Sequence, residues 1–198
     1  MSRSVRDKLE ANLARIGDGA PVFTKLLLDT ARAEADAADR RREAGLQLSA
    51  IDGTIVSVKD LLDVKGVTTW AGSSALKGAP AATQDAPSVA RLRRAGAVII
   101  GKTNMHELAY GIETISSLGG QTRNPYDPTR NPGGSSGGTG AAVAANFAVA
   151  GMGSDTCGSI RLPSAYNNLV GLRPTKGLSS IDGKDASENK TTRYMSFE

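Results

Sequence analysis

Residues 131–174, NPGGSSGGTGAAVAANFAVAGMGSDTCGSIRLPSAYNNLVGLRP, constrain this chain more than any other part of it. Two glycine-rich loops, each presenting serines, flank a segment built almost wholly from alanine and other small residues, which reads as a helix. Glycine at this density costs backbone entropy on folding, so a plain scaffold seldom uses it unless the backbone turns tightly or approaches a ligand. The stretch therefore reads as a site.

Two eliminations narrow its chemistry. GGSSG, residues 133–137, satisfies the G-x-S-x-G pattern of a nucleophile elbow, which needs an acid and then a histidine later in the chain. The only histidine, His106, lies upstream of both serine loops, so that order cannot be assembled. A phosphate-binding P-loop closes its glycine run with Lys-Ser or Lys-Thr, and Thr139-Gly140 stands here instead. A serine activated without histidine is left, and a lysine made neutral by burial and nearby positive dipoles is the usual substitute base. Lys59 ends the β-branched run 54–58, and Lys102 follows the apolar run 97–100. Both occupy strand ends, and both are candidates. Ser74 to Lys77 also matches S-x-x-K, but the companion S-D-N and K-T-G elements are missing.

The flanking segments predict the fold class. Val5, Leu9, Leu13 and Ile16 recur at helical spacing, so residues 5–16 read as an amphipathic helix. Residues 23–44 read as a second helix, with Arg40, Arg41 and Arg42 at the negative end of its dipole and Gly45 as its C-cap. From Ile51 strands and helices alternate. The strands are 54–59, 97–100, 149–152 and 170–172; the helices are one capped by Asp85 through Arg94, one capped by Asn104 through Ala109, and one over 164–169. This pattern predicts an α/β fold with a mixed, largely parallel sheet flanked by helices, behind a helical N-terminal lead-in, and ligands at the carboxyl ends of strands.

Composition removes other classes. The chain has 198 residues, 39% hydrophobic and 4% aromatic, enough for one core. A formal charge of +4 with arginines scattered over helices gives no basic patch with stacking aromatics, so nucleic-acid binding is not expected. One cysteine excludes an internal disulfide, and one cysteine with one histidine leaves little for a metal site. With no apolar leader in MSRSVRDKLE and no run of eighteen apolar residues, a soluble, cytoplasmic protein is expected, with no membrane partner.

GGSSGG followed by GSDTCGSIRLPSAYNNLVGLRPT resembles the amidase signature family, serine hydrolases with a Ser-Ser-Lys triad. DGTIVSVKDLLDVKGVTTWAGS and AGAVIIGKTNMHELAYG resemble further segments of that family, so the likeness covers about residues 45–181 in four ordered motifs. It implies that Ser159 is the acyl-accepting nucleophile, that Ser135 is the bridging serine held by a cis peptide bond, and that Lys59 rather than Lys102 is the base. Ser136 is the second choice for the bridge. The N–H groups of Thr156, Cys157, Gly158 and Ser159 are then the oxyanion hole. Asp155 and Arg161 flank that turn with opposite charges and are expected to brace it. Cys157 stands where many relatives have glycine, and reads as a small buried hydrophobe rather than a nucleophile. No metal and no cofactor are implied.

The resemblance implies an amidase cleaving a small carboxamide through an acyl-enzyme. A glutaminase (A) subunit of a tRNA-dependent amidotransferase is the alternative, with Leu162 standing where such relatives carry glutamine before the proline. An inactive truncated fragment is the third reading, because after Gly183 the chain continues as a polar stretch unlike the family's long further portion. The expected layout is a single partial domain: helices over 1–45, the signature core over 46–181 and a divergent polar tail over 182–198. A small amide substrate is the expected partner, and a homo-oligomer stays open.

Overall fold

The computed structural model describes residues 3–17, 21–180, 182–183 and 194–197. Helix α1 (Val5–Leu13), strand β1 (Phe23–Leu26) and helix α2 (Leu28–Glu43) come first. Strand β2 (Ile55–Lys59), helix α3 (Pro87–Arg94) and strand β3 (Val98–Thr103) then form a parallel β-α-β unit. A two-stranded ribbon of β4 (Ile115–Ser116) and β5 (Gly120–Gln121) precedes helix α4 (Gly137–Ala144) and strand β6 (Ala150–Gly153). Helix α5 (Arg161–Tyr166), strand β7 (Val170–Gly171) and strand β8 (Tyr194–Phe197) follow.

Six strands make one sheet in the order β1-β3-β2-β6-β8-β7. β2 runs parallel to β3 on one side and to β6 on the other, whereas β1 pairs antiparallel with β3, and β8 antiparallel with β6 and β7. The sheet is mixed with a parallel centre, the class that the alternation predicts. β2 and β3 are buried at every position, which is why their sequences, IVSVK and VIIGKT, run apolar and β-branched rather than alternating.

Each face of the sheet has its own core. On one, Ala31, Ala35 and Ala38 of α2 bring that helix close to Val5 and Leu9 of α1 and to Ile55, Val98 and Ile100 of the sheet. On the other, Val89 and Leu92 of α3, with Leu62 and Val64 from the loop after β2, cover Val56, Val58 and Ile99. The Asp39 carboxylate of α2 accepts the N–H groups of Val5 and Arg6, so one helix satisfies the orphan donors that start the other. Leu9 is fully buried where these layers meet. Leu9→Ala is expected to cost about 2–5 kcal/mol, read from the midpoint shift in a urea titration.

The structure departs from the sequence reading at several boundaries. Residues 23–26 are a strand, because β3 offers an open edge: Leu27 N–H donates to Ile100 O and the Phe23 ring packs 6.3 Å from that of Phe147. The first helix ends at Leu13, and residues 161–166 rather than 164–169 are helical. Asp85 does not cap α3. Its carboxylate accepts Lys65 N–H and faces Arg93, and the cap position is Ala86, with no side-chain bond. Asn104 does not cap a helix either, since its amide donates to Pro21 O, Gly120 O and Thr122 Oγ1, and residues 107–109 make a single 3-10 turn. Gly45 takes the expected left-handed conformation with φ +70°. Of the expected polar tail, residues 184–193 lie outside the described residues, while 194–197 form β8 between β6 and β7. No helix among the described residues is long and apolar enough to cross a membrane.

Candidate active site

Strand parity separates the two candidate lysines. Successive side chains of a strand point to opposite faces, and on β2 Val56 and Val58 face α3, so Ser57 and Lys59 face α4. The register with β3 slips by one residue between Val56 and Ser57, which sets Val58 beside Lys102 and Lys59 beside Thr103. Thr103 Oγ1 meets Thr139 Oγ1 of α4 at 2.7 Å, while Lys102 turns to the α3 face. There its ammonium lies 2.9 Å from Asp60 Oδ1 and 2.7 Å from Thr69 Oγ1, in a fully buried ion pair. Burial pushes the Asp60 carboxyl up, and Lys102 acts against that push.

Lys59 is fully buried on the α4 side, its Nζ hydrogen-bonded to Ser135 Oγ at 2.8 Å and to Ser154 Oγ at 2.6 Å. The sequence motifs give Ser154 no part in the relay. The available signal was its place just past the end of β6, the strand whose register runs beside β2. The peptide bond between Gly134 and Ser135 is cis. The neighbouring Ser136 turns away from Lys59: its Oγ donates to Ser154 O at 3.2 Å, and its N–H donates to Ser159 O at 3.2 Å. Of the serine pair, one residue meets the lysine and the other joins the two glycine loops. His106 bonds through backbone and ring, its N–H to Ser135 O at 3.0 Å and its Nδ1 accepting Glu113 N–H at 3.3 Å.

The second loop is organised under Asp155. Its buried carboxylate accepts the N–H groups of Gly158, Ile160 and Arg161 at 2.8, 3.1 and 3.2 Å, and both arms of the Arg161 guanidinium at 3.0 Å. Burial alone would raise this carboxyl, but the Arg161 bond and the three N–H groups outweigh it and hold it at about 2. Arg161, the partner expected from the sequence, thus lies against Asp155 at the base of the turn. Gly158 N–H, one of the four donors expected to form the oxyanion hole, is committed to Asp155, because the carboxylate is folded beneath the turn. Thr156 and Cys157 are exposed and Ser159 is half-buried, so Cys157 is not the buried hydrophobe expected from the sequence, because the turn over Asp155 carries it outward.

A carboxylate held low in the folded state stabilises it above its unfolded value, about 3.9, and that stabilisation is lost as pH falls through the folded value. The melting temperature is therefore expected to fall between about pH 4 and pH 2 as Asp155 takes up its proton. Asp155→Asn is expected to melt lower at pH 7 and to show a smaller acid step than wild type, the remainder coming from carboxyls such as Glu10, which Arg32 and Arg6 hold at about 2; thermal melts across the range would show this.

A cavity of about 530 Å³ lies at the amino ends of the strands between Lys8, Arg42, Asp52 and Ile55, away from Ser135 and Ser159.

The molecule is a mixed α/β sheet that carries a buried serine–lysine pair beside two glycine loops. The Amidase family model matches residues 7–193, and the chain belongs to this family, the amidase-signature enzymes. It is 49% identical over 183 residues to AtzE, a 1-carboxybiuret hydrolase component of Pseudomonas sp. (strain ADP), covering 91% of this chain and 40% of that protein. It is 48% identical over 183 residues to the A subunit of the glutamyl-tRNA(Gln) amidotransferase of Anaeromyxobacter dehalogenans, covering 91% of this chain and 37% of the relative. Among solved structures, native peptide amidase from Stenotrophomonas maltophilia superposes with a TM-score of 0.85 at 41% identity, over 92% of this chain and 39% of that one. A structure of a vestigial protein complex, described as revealing the origins of an s-triazine catabolic enzyme, superposes at 0.94 with 44% identity, over 98% of this chain and 44% of that one. The chain thus spans about two fifths of the length of the relatives it matches.

Proposed function

We propose that this chain carries the catalytic centre of an amide hydrolase that works through an acyl-enzyme. The observation that carries the reading is Lys59 Nζ at 2.8 Å from Ser135 Oγ, both fully buried, on a loop tied by backbone to Ser159. Neutral Lys59 accepts the Ser135 proton, Ser135 accepts the Ser159 proton, and Ser159 Oγ attacks the amide carbonyl. The N–H groups of the 156–159 turn receive the developing oxyanion, with Gly158 taken out of that set by Asp155. The relay then reverses: Ser135 returns a proton to the leaving nitrogen, and water releases the acid by the same route. Ser154, the second hydroxyl on Lys59, keeps the amine aimed at the loop.

The substrate reading is a small carboxamide. A glutaminase role inside a tRNA-dependent amidotransferase is favoured by the likeness to the Anaeromyxobacter amidotransferase, and opposed by Leu162 before Pro163. Ammonia release from simple amides, assayed with and without ATP and tRNA, separates the two. Release from small amides alone supports the first reading, dependence on the additions supports the second, and no release with no active-site labelling identifies an inactive fragment.

A further inference from the structure

We propose that Thr114 is a positioning residue for Ser135, its hydroxyl clamping both ends of the serine loop from outside. The inference rests on the catalytic reading above and adds to it a residue from a different part of the chain. Thr114 Oγ1 donates to Gly133 O at 2.7 Å and accepts Gly137 N–H at 3.1 Å. One hydroxyl thus uses its donor and its acceptor on the two residues that bracket 134–136. Gly137 is the first residue of α4, and Ser136 before it makes no side-chain cap bond, so Thr114 supplies the missing cap from a distance of twenty-three residues.

The backbone at Thr114 is costly to hold. Its φ is +58°, a conformation that β-branched residues rarely adopt, and a glycine or asparagine would take it more cheaply. The side chain is fully buried, and the Thr114 carbonyl is fixed by Thr122 N–H at 3.1 Å. The segment lies hard against the loop: a Cβ on Gly134 would meet the backbone of Ile112 and Glu113, and one on Gly137 would meet Thr114 Oγ1. With His106 N–H on Ser135 O, this region grips the loop at residues 133, 135 and 137. Those grips fix where Ser135 Oγ stands relative to Lys59 and Ser159.

The test uses the full chain as wild type, Thr114→Val and Thr114→Ser. Valine keeps the shape and removes the hydroxyl, whereas serine keeps the hydroxyl. Amide hydrogen exchange across 133–137 reads the clamp, and fluorophosphonate labelling of Ser159, resolved into a maximal rate and a half-saturating concentration, reads its catalytic consequence. The valine variant is expected to exchange faster at Gly137 and to label roughly 10–100-fold more slowly at saturation with the half-saturating concentration unchanged, as a misplaced relay would. The serine variant is expected to match wild type in both. Valine labelling at the wild-type rate, or serine failing as far as valine, would overturn the proposal. So would loss of protection throughout the sheet in the valine variant, which would make Thr114 an ordinary fold determinant. If wild type itself does not label, the catalytic reading fails, while unchanged Gly137 exchange in the valine variant would independently remove the clamp.

Discussion

Ser159→Ala is expected to abolish covalent labelling by a fluorophosphonate and any amide hydrolysis while leaving the melting temperature unchanged. In the proposed mechanism Ser159 Oγ is the attacking atom, and removal of the nucleophile in serine hydrolases costs on the order of 10⁶ in turnover. Stability should hold because Ser159 is joined to the first loop through its carbonyl, which accepts Ser136 N–H and which alanine retains. Mapping the labelled peptide makes the result decisive. Cys157 is an exposed thiol two residues away, so label found there, or labelling that survives in the alanine variant, would sink the assignment.

The second large effect contrasts the two buried lysines. Lys59→Met is expected to lower the rate of acylation at neutral pH by about 10²–10⁴, the usual worth of a positioned base. Lys102→Met is expected to do the opposite in kind. It leaves the Asp60 carboxyl buried without its counter-ion, so about 3–5 kcal/mol of stability should go while the rate per folded molecule stays. Labelling kinetics beside denaturant titrations would show the crossover. Equal kinetic losses in both variants would mean that Lys59 is not the base.

Both lysines are legible in the sequence as strand-end lysines, and nothing local tells them apart. The distinction lies in a one-residue slip of register between β2 and β3, which depends on pairing across some forty positions. The same cause accounts for other departures. Residues 23–26 carry acceptable helix formers, but the open edge of β3 recruits them as a strand. Asn104 resembles a helix cap locally, and three partners remote in sequence take its amide instead. The glycine loops and the parallel centre were legible because each is written in residues close together in the chain. Ser154 and Thr114 were not, since their meaning comes from what folding sets beside them.

Helix α4 holds eight residues, all buried, and none larger than valine. The wall behind the two serines is closely approached, since a Cβ on Gly137 or Gly138 would meet Thr114 or Asn104, and the side chains open to solvent stand at Thr156, Cys157 and Arg161. A scaffold of this kind divides its labour by direction. Change at the back is read as a folding defect, so any divergence in what such a site accepts has to be written on the front.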